Sequence, residues 1–163
     1  MIDYKDYIES AYDFPTEGIE YRDIQPLLED DFAFSMAIQE MGDLIEQKPT
    51  YWVGVESRGF LFASALAMKF GGGVKMVRKE GKLPNTNHTL RGVSYDLEYG
   101  SASIEMKPGE GNVVIVDDVY ATGGTMEAAE HLCKMSGYNV VGKICLMDIG
   151  IKKEHDVKCL ITY

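Results

Sequence analysis

The chain has 163 residues, 45% of them hydrophobic, which is enough for one sizeable core and short for two. We therefore predict a single domain over residues 1–163. Its 16 basic and 26 acidic side chains give a net charge of −10, so the surface repels phosphate backbones and we expect no nucleic acid partner. The sequence has no apolar run of membrane-spanning length, and its acidic start differs from a signal peptide, so we expect no membrane partner and a cytoplasmic location.

The three cysteines and three histidines follow no spacing typical of a metal site or a disulfide framework. We expect reduced cysteines, with Cys133 in a helix and Cys145 in a strand, each a small buried hydrophobe. No metal ligand is assigned to the protein itself.

The spacing of apolar residues and the positions of Gly and Pro predict alternating helices and strands. In chain order these are a helix at 3–12, a loop at 13–26, a helix at 31–47 capped by Asp30 or Asp31, a strand at 51–55, a helix at 60–70, a strand at 74–77, a polar hairpin or mobile flap at 79–111 outside the core, a strand at 113–116, a helix at 123–135 and strands at 140–147 and 159–162. Such alternation predicts an α/β fold with a mainly parallel sheet and helices on both faces.

The most informative segment is VVIVDDVYATGGT, residues 113–125. A buried strand leads into Asp117 and Asp118, and five small residues then open a helix; they are Ala121, Thr122, Gly123, Gly124 and Thr125. Backbone N–H groups at such a helix start bind phosphate, aided by the helix dipole. The two carboxylates would repel phosphate but accept hydrogen bonds from sugar hydroxyls. The segment therefore predicts a ribose 5-phosphate site.

The segment has three other interpretations. A strand, an Asp-rich turn and a Gly helix start are common in α/β folds, although the combination here is more specific than any one part. A Walker loop is not supported, because no Gly-Lys-Ser/Thr follows the glycines. A dehydrogenase-like domain would need a G-x-G-x-x-G after a strand.

A second anion-binding turn follows the strand at 51–55. Glu56, Ser57, Arg58 and Gly59 place a hydroxyl, a guanidinium fork and a flexible glycine at the point where that strand ends. Further along, Arg78, Lys79 and Lys82 form a basic cluster in an acidic chain, diluted by Glu80. A solvated surface is the usual explanation of such a cluster, but the net charge favours an anionic ligand, and we predict pyrophosphate.

Taken together, these motifs resemble the type I phosphoribosyltransferases. The resemblance is closest to the adenine phosphoribosyltransferases, and it runs from about Phe14 to Leu146 through DFPTEGIEYRDIQPLL, GVESRGFLFASALA, VRKEGKLP, YDLEYG and VVIVDDVYATGGTM. It implies a mainly parallel twisted sheet flanked by helices, a flexible hairpin flap at about 79–111 and a small N-terminal hood. It also implies a homodimer that uses Mg²⁺ to convert adenine and phosphoribosyl pyrophosphate (PRPP) to AMP and pyrophosphate.

The resemblance also implies roles for individual residues. Asp117 and Asp118 would hold the ribose hydroxyls, and residues 121–125 would surround the 5′-phosphate. Pyrophosphate would be bound by Glu56, Ser57, Arg58, Arg78 and Lys82, with a cis peptide bond between Glu56 and Ser57. The base would lie near Ile19, Glu20, Tyr21 and Arg22, and the catalytic residues would be Glu98 and Tyr99. Mg²⁺ would be held by substrate oxygens and water.

Some positions differ from the family pattern. Glu20 replaces an aliphatic residue beside the base, Tyr120 places a phenol near the sugar site, and Lys75 is also unusual. A transferase for another purine or modified base is therefore the main alternative. A PRPP-sensing regulator without catalysis is a further one, although the chain lacks a basic nucleic-acid surface and contains the LEYG carboxylate.

Overall fold

The protein is described by a computed structural model that covers residues 2–84, 91–97 and 100–163, without the side chains of residues 96, 97 and 100. Its strands are β1 Glu9–Tyr12, β2 Glu20–Asp23, β3 Tyr51–Val55, β4 Gly73–Lys79, β5 Arg91–Leu97, β6 Gly100–Met106, β7 Gly111–Tyr120, β8 Tyr138–Asp148 and β9 Lys158–Thr162. Its α-helices are α1 Gln25–Glu29, α2 Asp31–Asp43, α3 Gly59–Phe70 and α4 Gly124–Met135, and a 3₁₀ helix spans Tyr4–Tyr7.

Seven strands form one sheet in the order β5-β6-β4-β3-β7-β8-β9. The four pairings from β4 across β3, β7 and β8 to β9 are parallel, while β6 pairs antiparallel with both β4 and β5. The prediction of a mainly parallel sheet with an antiparallel hairpin is confirmed. Because parallel strands end at the same edge, the turns after β3 and β7 lie side by side.

Helices cover both faces of this sheet. On one face, α1, α2 and α3 bury Leu27, Ile38 and Leu66 against the strands, and on the other face α4 buries Leu132 and Cys133. Burial raises the pKa of the Cys133 thiol to about 12, so it stays protonated. In the described part of the chain, no helix has the length and apolar content needed to cross a membrane.

The helix predicted at 3–12 is wrong beyond its first turn, and the loop predicted at 13–26 contains a strand. Residues Glu9–Tyr12 form β1, which pairs antiparallel with β2 in a separate two-stranded sheet. The apolar spacing of Tyr4, Tyr7 and Ile8 fits a helix, but pairing with β2 across the loop at 13–19 determines the conformation of the residues that follow. This small sheet is the predicted N-terminal hood.

The described residues of the segment at 79–111 include the predicted hairpin, formed by β5 and β6, which is more closely packed than expected. Ile104 and Met106 of β6 are buried in the same core as α4, where Val93 of β5 packs against them. The hairpin is joined to the sheet through the pairing of Arg78 and Lys79 with β6. One strand of the hairpin therefore belongs to the core.

Several local predictions are confirmed. Asp30 caps α2, with its side chain accepting a hydrogen bond from Ala33 N at 2.8 Å, and Gly137 ends α4 in a left-handed conformation with φ 98°.

The unusual Lys75 lies beside the rings of Tyr51 and Tyr138, with its Nζ 4.9 and 5.7 Å from their centroids. This geometry gives Lys75 a packing role, since a cation is attracted to aromatic faces.

Candidate active site

The site is built where β3 and β7 end, next to each other in the sheet. The turn after β3 begins with a cis peptide bond between Glu56 and Ser57, as predicted. Gly59 then starts α3 in contact with β7, since a Cβ on Gly59 would lie 2.6 Å from the Val116 carbonyl oxygen. Only glycine permits this approach, so it brings the 56–59 turn against the end of β7.

The predicted phosphate loop, residues 121–125, joins β7 to α4. Gly123 is the N-cap of α4 and has φ 90°, a left-handed conformation that glycine adopts at low cost. A cavity of about 60 Å³ is lined by residues 119–126. The loop thus combines a small concave space with the unpaired amides of a helix start, which is an arrangement that binds anions.

Asp117 and Asp118 lie within the last part of β7, which extends beyond the predicted strand to Tyr120. Asp118 is 5% exposed, and the Asp118 N–H donates to Asp117 Oδ1 at 2.9 Å. Burial and the neighbouring Asp118 charge raise the pKa of Asp117 well above its ordinary value. Burial also raises the pKa of Asp118, and the charge of Arg58 opposes this effect. The pair therefore resists carrying two negative charges at once.

Arg58 joins the two turns. Its Nε lies 2.8 Å from Asp118 Oδ2, and its Nη1 donates to the Tyr21 hydroxyl at 2.8 Å and to the Arg22 carbonyl oxygen at 3.3 Å. Its guanidinium also lies 4.9 Å from the centroid of the Tyr21 ring. Although Asp118 Oδ2 is at ion-pair distance from Arg58, this buried atom has no aligned hydrogen bond within the described residues. It retains the capacity to accept one from a ligand.

The basic cluster contains its own counter-ion. Glu56 Oε2 accepts a hydrogen bond from Lys79 N at 2.7 Å and lies 3.4 Å from Arg78 Nε, while Arg78 Nη1 donates to the Lys82 carbonyl oxygen at 3.2 Å. Burial alone would raise the pKa of Glu56, but the Lys79 hydrogen bond and the Arg78 charge lower it below its ordinary value. Ser57, in contrast, is exposed. Glu56 thus holds the Arg78 side chain.

The predicted base segment is the strand β2, and its side chains point in alternating directions. Glu20 and Arg22 pair with each other at 3.1 Å, and Arg22 Nη1 also donates to Ser10 Oγ at 2.6 Å. Tyr21 points the other way, towards Arg58. The Glu20 side chain is therefore held by Arg22, and the unusual acid lies on the opposite side of the strand from Tyr21. Ile19, just before this strand, is half-buried and accepts from Phe14 N at 3.2 Å.

One aromatic residue near the base segment was not predicted. Phe14 is 53% exposed and packs edge-on against Tyr21, with 5.3 Å between ring centroids, just before a cis peptide bond to Pro15. The sequence signal was an aromatic residue before proline in a polar loop. The predicted catalytic residues Glu98 and Tyr99 lie outside the described residues.

The position of Tyr120 in the sequence suggested that its phenol lies near the sugar site at Asp117 and Asp118. In the structure its side chain lies elsewhere. Its ring is 3% exposed and packs in the core on the α4 side, 4.2 Å from the His155 ring. Asp118 instead faces Arg58, the N-cap of α3. The phenol is thus placed under the phosphate loop.

A phosphoribosyl transferase domain model matches residues 25–163. The adenine phosphoribosyltransferase of Hydrogenovibrio crunogenus is 50% identical over 148 residues, covering 88% of this chain and 83% of the relative. The adenine phosphoribosyltransferase of Carboxydothermus hydrogenoformans is 44% identical over 154 residues, covering 91% of this chain and 88% of the relative.

Solved structures agree with the sequence relatives. The adenine phosphoribosyltransferase of Thermoanaerobacter pseudethanolicus superposes with a TM-score of 0.89 at 36% identity, covering 99% of this chain and 98% of that one. The enzyme of Giardia lamblia, solved in complex with 9-deazaadenine, has a TM-score of 0.89 at 30% identity, covering 99% and 96%. The turns after β3 and β7, their carboxylates and this similarity along the chain agree: the chain belongs to the type I phosphoribosyltransferases and, among them, to the adenine phosphoribosyltransferase family.

Proposed function

We propose that this protein transfers a 5-phosphoribosyl group from PRPP to adenine, forming AMP and releasing pyrophosphate. In this reaction adenine N9 bonds to the ribose C1 as the bond from C1 to pyrophosphate breaks, and the base loses its N9 proton. The function follows from family membership and from the site, since the relatives above are adenine phosphoribosyltransferases.

The observation that carries the proposal is the environment of Asp118 Oδ2. This buried carboxylate oxygen lies 2.8 Å from Arg58 Nε and lacks an aligned hydrogen bond within the described residues. The phosphate loop, residues 121–125, follows shortly after Asp118 in the chain. A ribose hydroxyl donates the missing hydrogen bond, while the 5′-phosphate reaches the amides of residues 121–125. A sugar phosphate satisfies both features with a single molecule.

Pyrophosphate would lie over the turn at 56–59. Ser57 is exposed there, and Arg58 provides a guanidinium already held in place by Asp118 and Tyr21. Arg78 and Lys82 add positive charge at the side of this turn, with Glu56 fixing the Arg78 side chain. Two anion sites at neighbouring strand ends suit a substrate with phosphate groups at both ends of one sugar.

Adenine would lie between β2 and the sugar. Tyr21, and the exposed Phe14 packed on it, offer aromatic surface for the purine. The side chains of Glu20 and Arg22 are paired with each other, so recognition of the base edge falls to the backbone of residues 19–22. Since Arg58 touches both Tyr21 and Asp118, the base and sugar subsites share one side chain.

Glu98 and Tyr99 would complete the site during the reaction. Positive charge develops on the ribose as pyrophosphate departs, and a carboxylate stabilises it and accepts the purine proton. Glu98 takes this role, and Tyr99 shields the reacting atoms from water.

Mg²⁺ would be bound mainly by oxygens of PRPP and by water. Among the described side chains, no group of three or more His, Cys, Asp or Glu is arranged to hold a metal ion. Asp118 is engaged by Arg58, and the raised pKa values of Asp117 and Asp118 disfavour the doubly ionised pair that would bind a cation directly. When bound, the ion neutralises the charge of the leaving pyrophosphate.

We further propose a cytoplasmic homodimer of single-domain subunits. Four apolar side chains on two elements that contact each other, Leu61 and Met68 on α3 and Val74 and Met76 on β4, are each at least 40% exposed, and we call them the apolar patch. Beyond its pairing with β3, β4 contacts β6 through Arg78 and Lys79 in the described pairings, which leaves its first residues as an exposed strand edge. A second subunit that covers this patch would bury the apolar side chains.

The central test is product formation. Purified protein incubated with PRPP, Mg²⁺ and adenine should form AMP and pyrophosphate, as measured by chromatography, whereas hypoxanthine and guanine should react far more slowly. Absence of AMP from adenine would refute the proposal. Faster turnover of another purine would assign the protein to the alternative base specificity.

Asp117→Asn should stabilise the free protein and weaken its use of PRPP. The raised pKa of Asp117 costs stability once the pH exceeds the ordinary Asp value of about 4, increasingly so up to the folded-state pKa. At pH 7 the free energy of unfolding of the variant should therefore exceed that of the wild type by about 1 kcal/mol or more. This difference should shrink towards pH 4. The loss of one acceptor oxygen for a ribose hydroxyl should lower kcat/KM for PRPP by about 10-fold or more.

Denaturant titrations at several pH values and steady-state kinetics measure the two effects. Asp43→Asn, at an exposed site on α2, serves as the control and should change neither. An Asp117→Asn protein that is less stable and equally active contradicts the assigned role.

Glu98→Gln should lower kcat by about 100-fold or more, with little change in KM for PRPP, because its carboxylate acts on charge that develops after binding. Steady-state kinetics on the variant and on Glu110→Gln, an exposed glutamate before β7, provide the comparison. Equal kcat values for the wild type and Glu98→Gln would remove Glu98 from the mechanism.

Met68→Glu combined with Met76→Glu should convert a dimer to monomers, since two buried charges without partners would oppose association. Sedimentation velocity at micromolar concentration measures the change, and Met135→Glu on α4, where Met135 is 48% exposed, is the matched control. A wild-type protein that sediments as a monomer would contradict the proposed dimer.

A further inference from the structure

Tyr120 is the residue of the phosphate-binding segment that the proposed function leaves without a role. It ends β7, immediately before residues 121–125, and its side chain is 3% exposed. Its ring is buried among core residues from α4 and the segment after β8, including Met126 and Val157. A phenol at this position is therefore fixed relative to the loop that follows.

The Tyr120 hydroxyl occupies the space that a side chain at position 123 would need. A Cβ on Gly123 would lie 2.6 Å from the Tyr120 hydroxyl oxygen, and 3.3 Å from Cδ of Lys152. Gly123 is the left-handed N-cap of α4, so its conformation sets the direction of the loop amides. The Tyr120 hydroxyl and the Lys152 stem thus pack against the residue on which the loop geometry depends.

The Tyr120 ring is itself held by His155. The two rings lie 4.2 Å apart, and both His155 nitrogens are engaged: Nε2 lies 3.1 Å from Asp148 Oδ2 and Nδ1 lies 3.1 Å from the Val157 carbonyl oxygen. Asp148, at the end of β8, is 8% exposed and also accepts from Gly150 N at 2.8 Å. A buried chain of contacts therefore connects the end of β8 to the phosphate loop.

A second contact fastens the same segment to α4. Lys152 forms an ion pair with Glu127, in the first turn of α4, and this hydrogen bond raises the pKa of Lys152. Burial raises the pKa of Tyr120, so its hydroxyl stays neutral and does not repel a phosphate dianion. Residues 148–155 contact the residues that flank the phosphate loop, Tyr120 before it and Glu127 after it. We call this segment the brace.

We propose that Tyr120, held by the brace, is a positioning residue that keeps Gly123 and the 121–125 loop in the phosphate-binding conformation before substrate arrives. This inference rests on the proposed function, because it gives the loop's ligand as the 5′-phosphate of a ribose. A preformed loop binds more tightly because ordering is not required on binding. Tyr120 therefore acts on the affinity for the sugar phosphate and not on the chemical step.

The test compares Tyr120→Leu, Tyr120→Phe and His155→Leu with wild type. Tyr120→Leu should raise both KM for PRPP and the calorimetric Kd of ribose 5-phosphate by about 10-fold, and Tyr120→Phe should raise them by about 3-fold, because it keeps the ring and loses the hydroxyl. His155→Leu should have a smaller effect of the same kind. KM for adenine and kcat should change little in all three variants.

Tyr138→Phe is the matched control. Tyr138 is also a buried tyrosine of the sheet, 4% exposed, and its hydroxyl donates to the Lys107 carbonyl oxygen at 3.0 Å, away from the loop. The Tyr138→Phe variant should have a lower free energy of unfolding in a denaturant titration, and its Kd for ribose 5-phosphate should equal that of the wild type. The control thus separates general destabilisation from a specific effect on the loop.

An unchanged Kd in folded Tyr120 variants would overturn the inference, and so would equal losses in kcat and in affinity for both substrates. If Tyr120→Leu does not fold, Tyr120→Phe and His155→Leu decide the matter by the same criteria. A wild type that forms no AMP would refute the proposed function alone, since titration with ribose 5-phosphate still measures the effect of Tyr120 on the loop.

Discussion

The contact between Arg58 and Asp118 is the interaction on which the site depends. It joins the turn after β3 to the end of β7 at 2.8 Å, and through the Tyr21 hydroxyl it extends to the N-terminal hood. Parallel pairing of β3 with β7 brings the two strand ends together, and the absence of a side chain on Gly59 lets α3 start against β7. Arg58, Asp118 and Tyr21, to which we assign the binding of pyrophosphate, ribose and adenine, are thus arranged in the free protein, which reduces the cost of ordering them around a substrate.

This arrangement carries an energetic cost that a purely structural site would avoid. Burial and mutual repulsion raise the pKa of Asp117, and burial raises that of Asp118, with Arg58 offsetting part of the effect. A hydroxyl-rich ligand relieves this tension by donating hydrogen bonds to the pair, including one to Asp118 Oδ2, which has no aligned hydrogen bond within the described residues. The two proposed anion sites differ in chemistry: the loop at 121–125 offers amides and a helix start, whereas the turn at 56–59 offers a guanidinium.

Local patterns were sufficient to predict most of the sheet. The apolar, β-branched run before Asp117 and the glycines at 123 and 137 specify a strand, a turn and a helix through neighbouring residues alone. The strand β2 was missed because its four residues, EYRD, lack an alternating apolar pattern, and its partner β1, across the loop at 13–19, is exposed. The Arg58 contact with Tyr21 spans 37 residues, and the position of Tyr120 under the loop depends on His155, so neither could be derived from spacing.

A crystal structure of the protein with AMP tests the central claim most directly. The account predicts the 5′-phosphate within about 2.7–3.2 Å of the amides of residues 122–125, ribose hydroxyls on Asp117 and Asp118, and the adenine ring beside Tyr21. AMP bound with its phosphate on Arg78 and Lys82, and with the 121–125 loop free of phosphate, would contradict it.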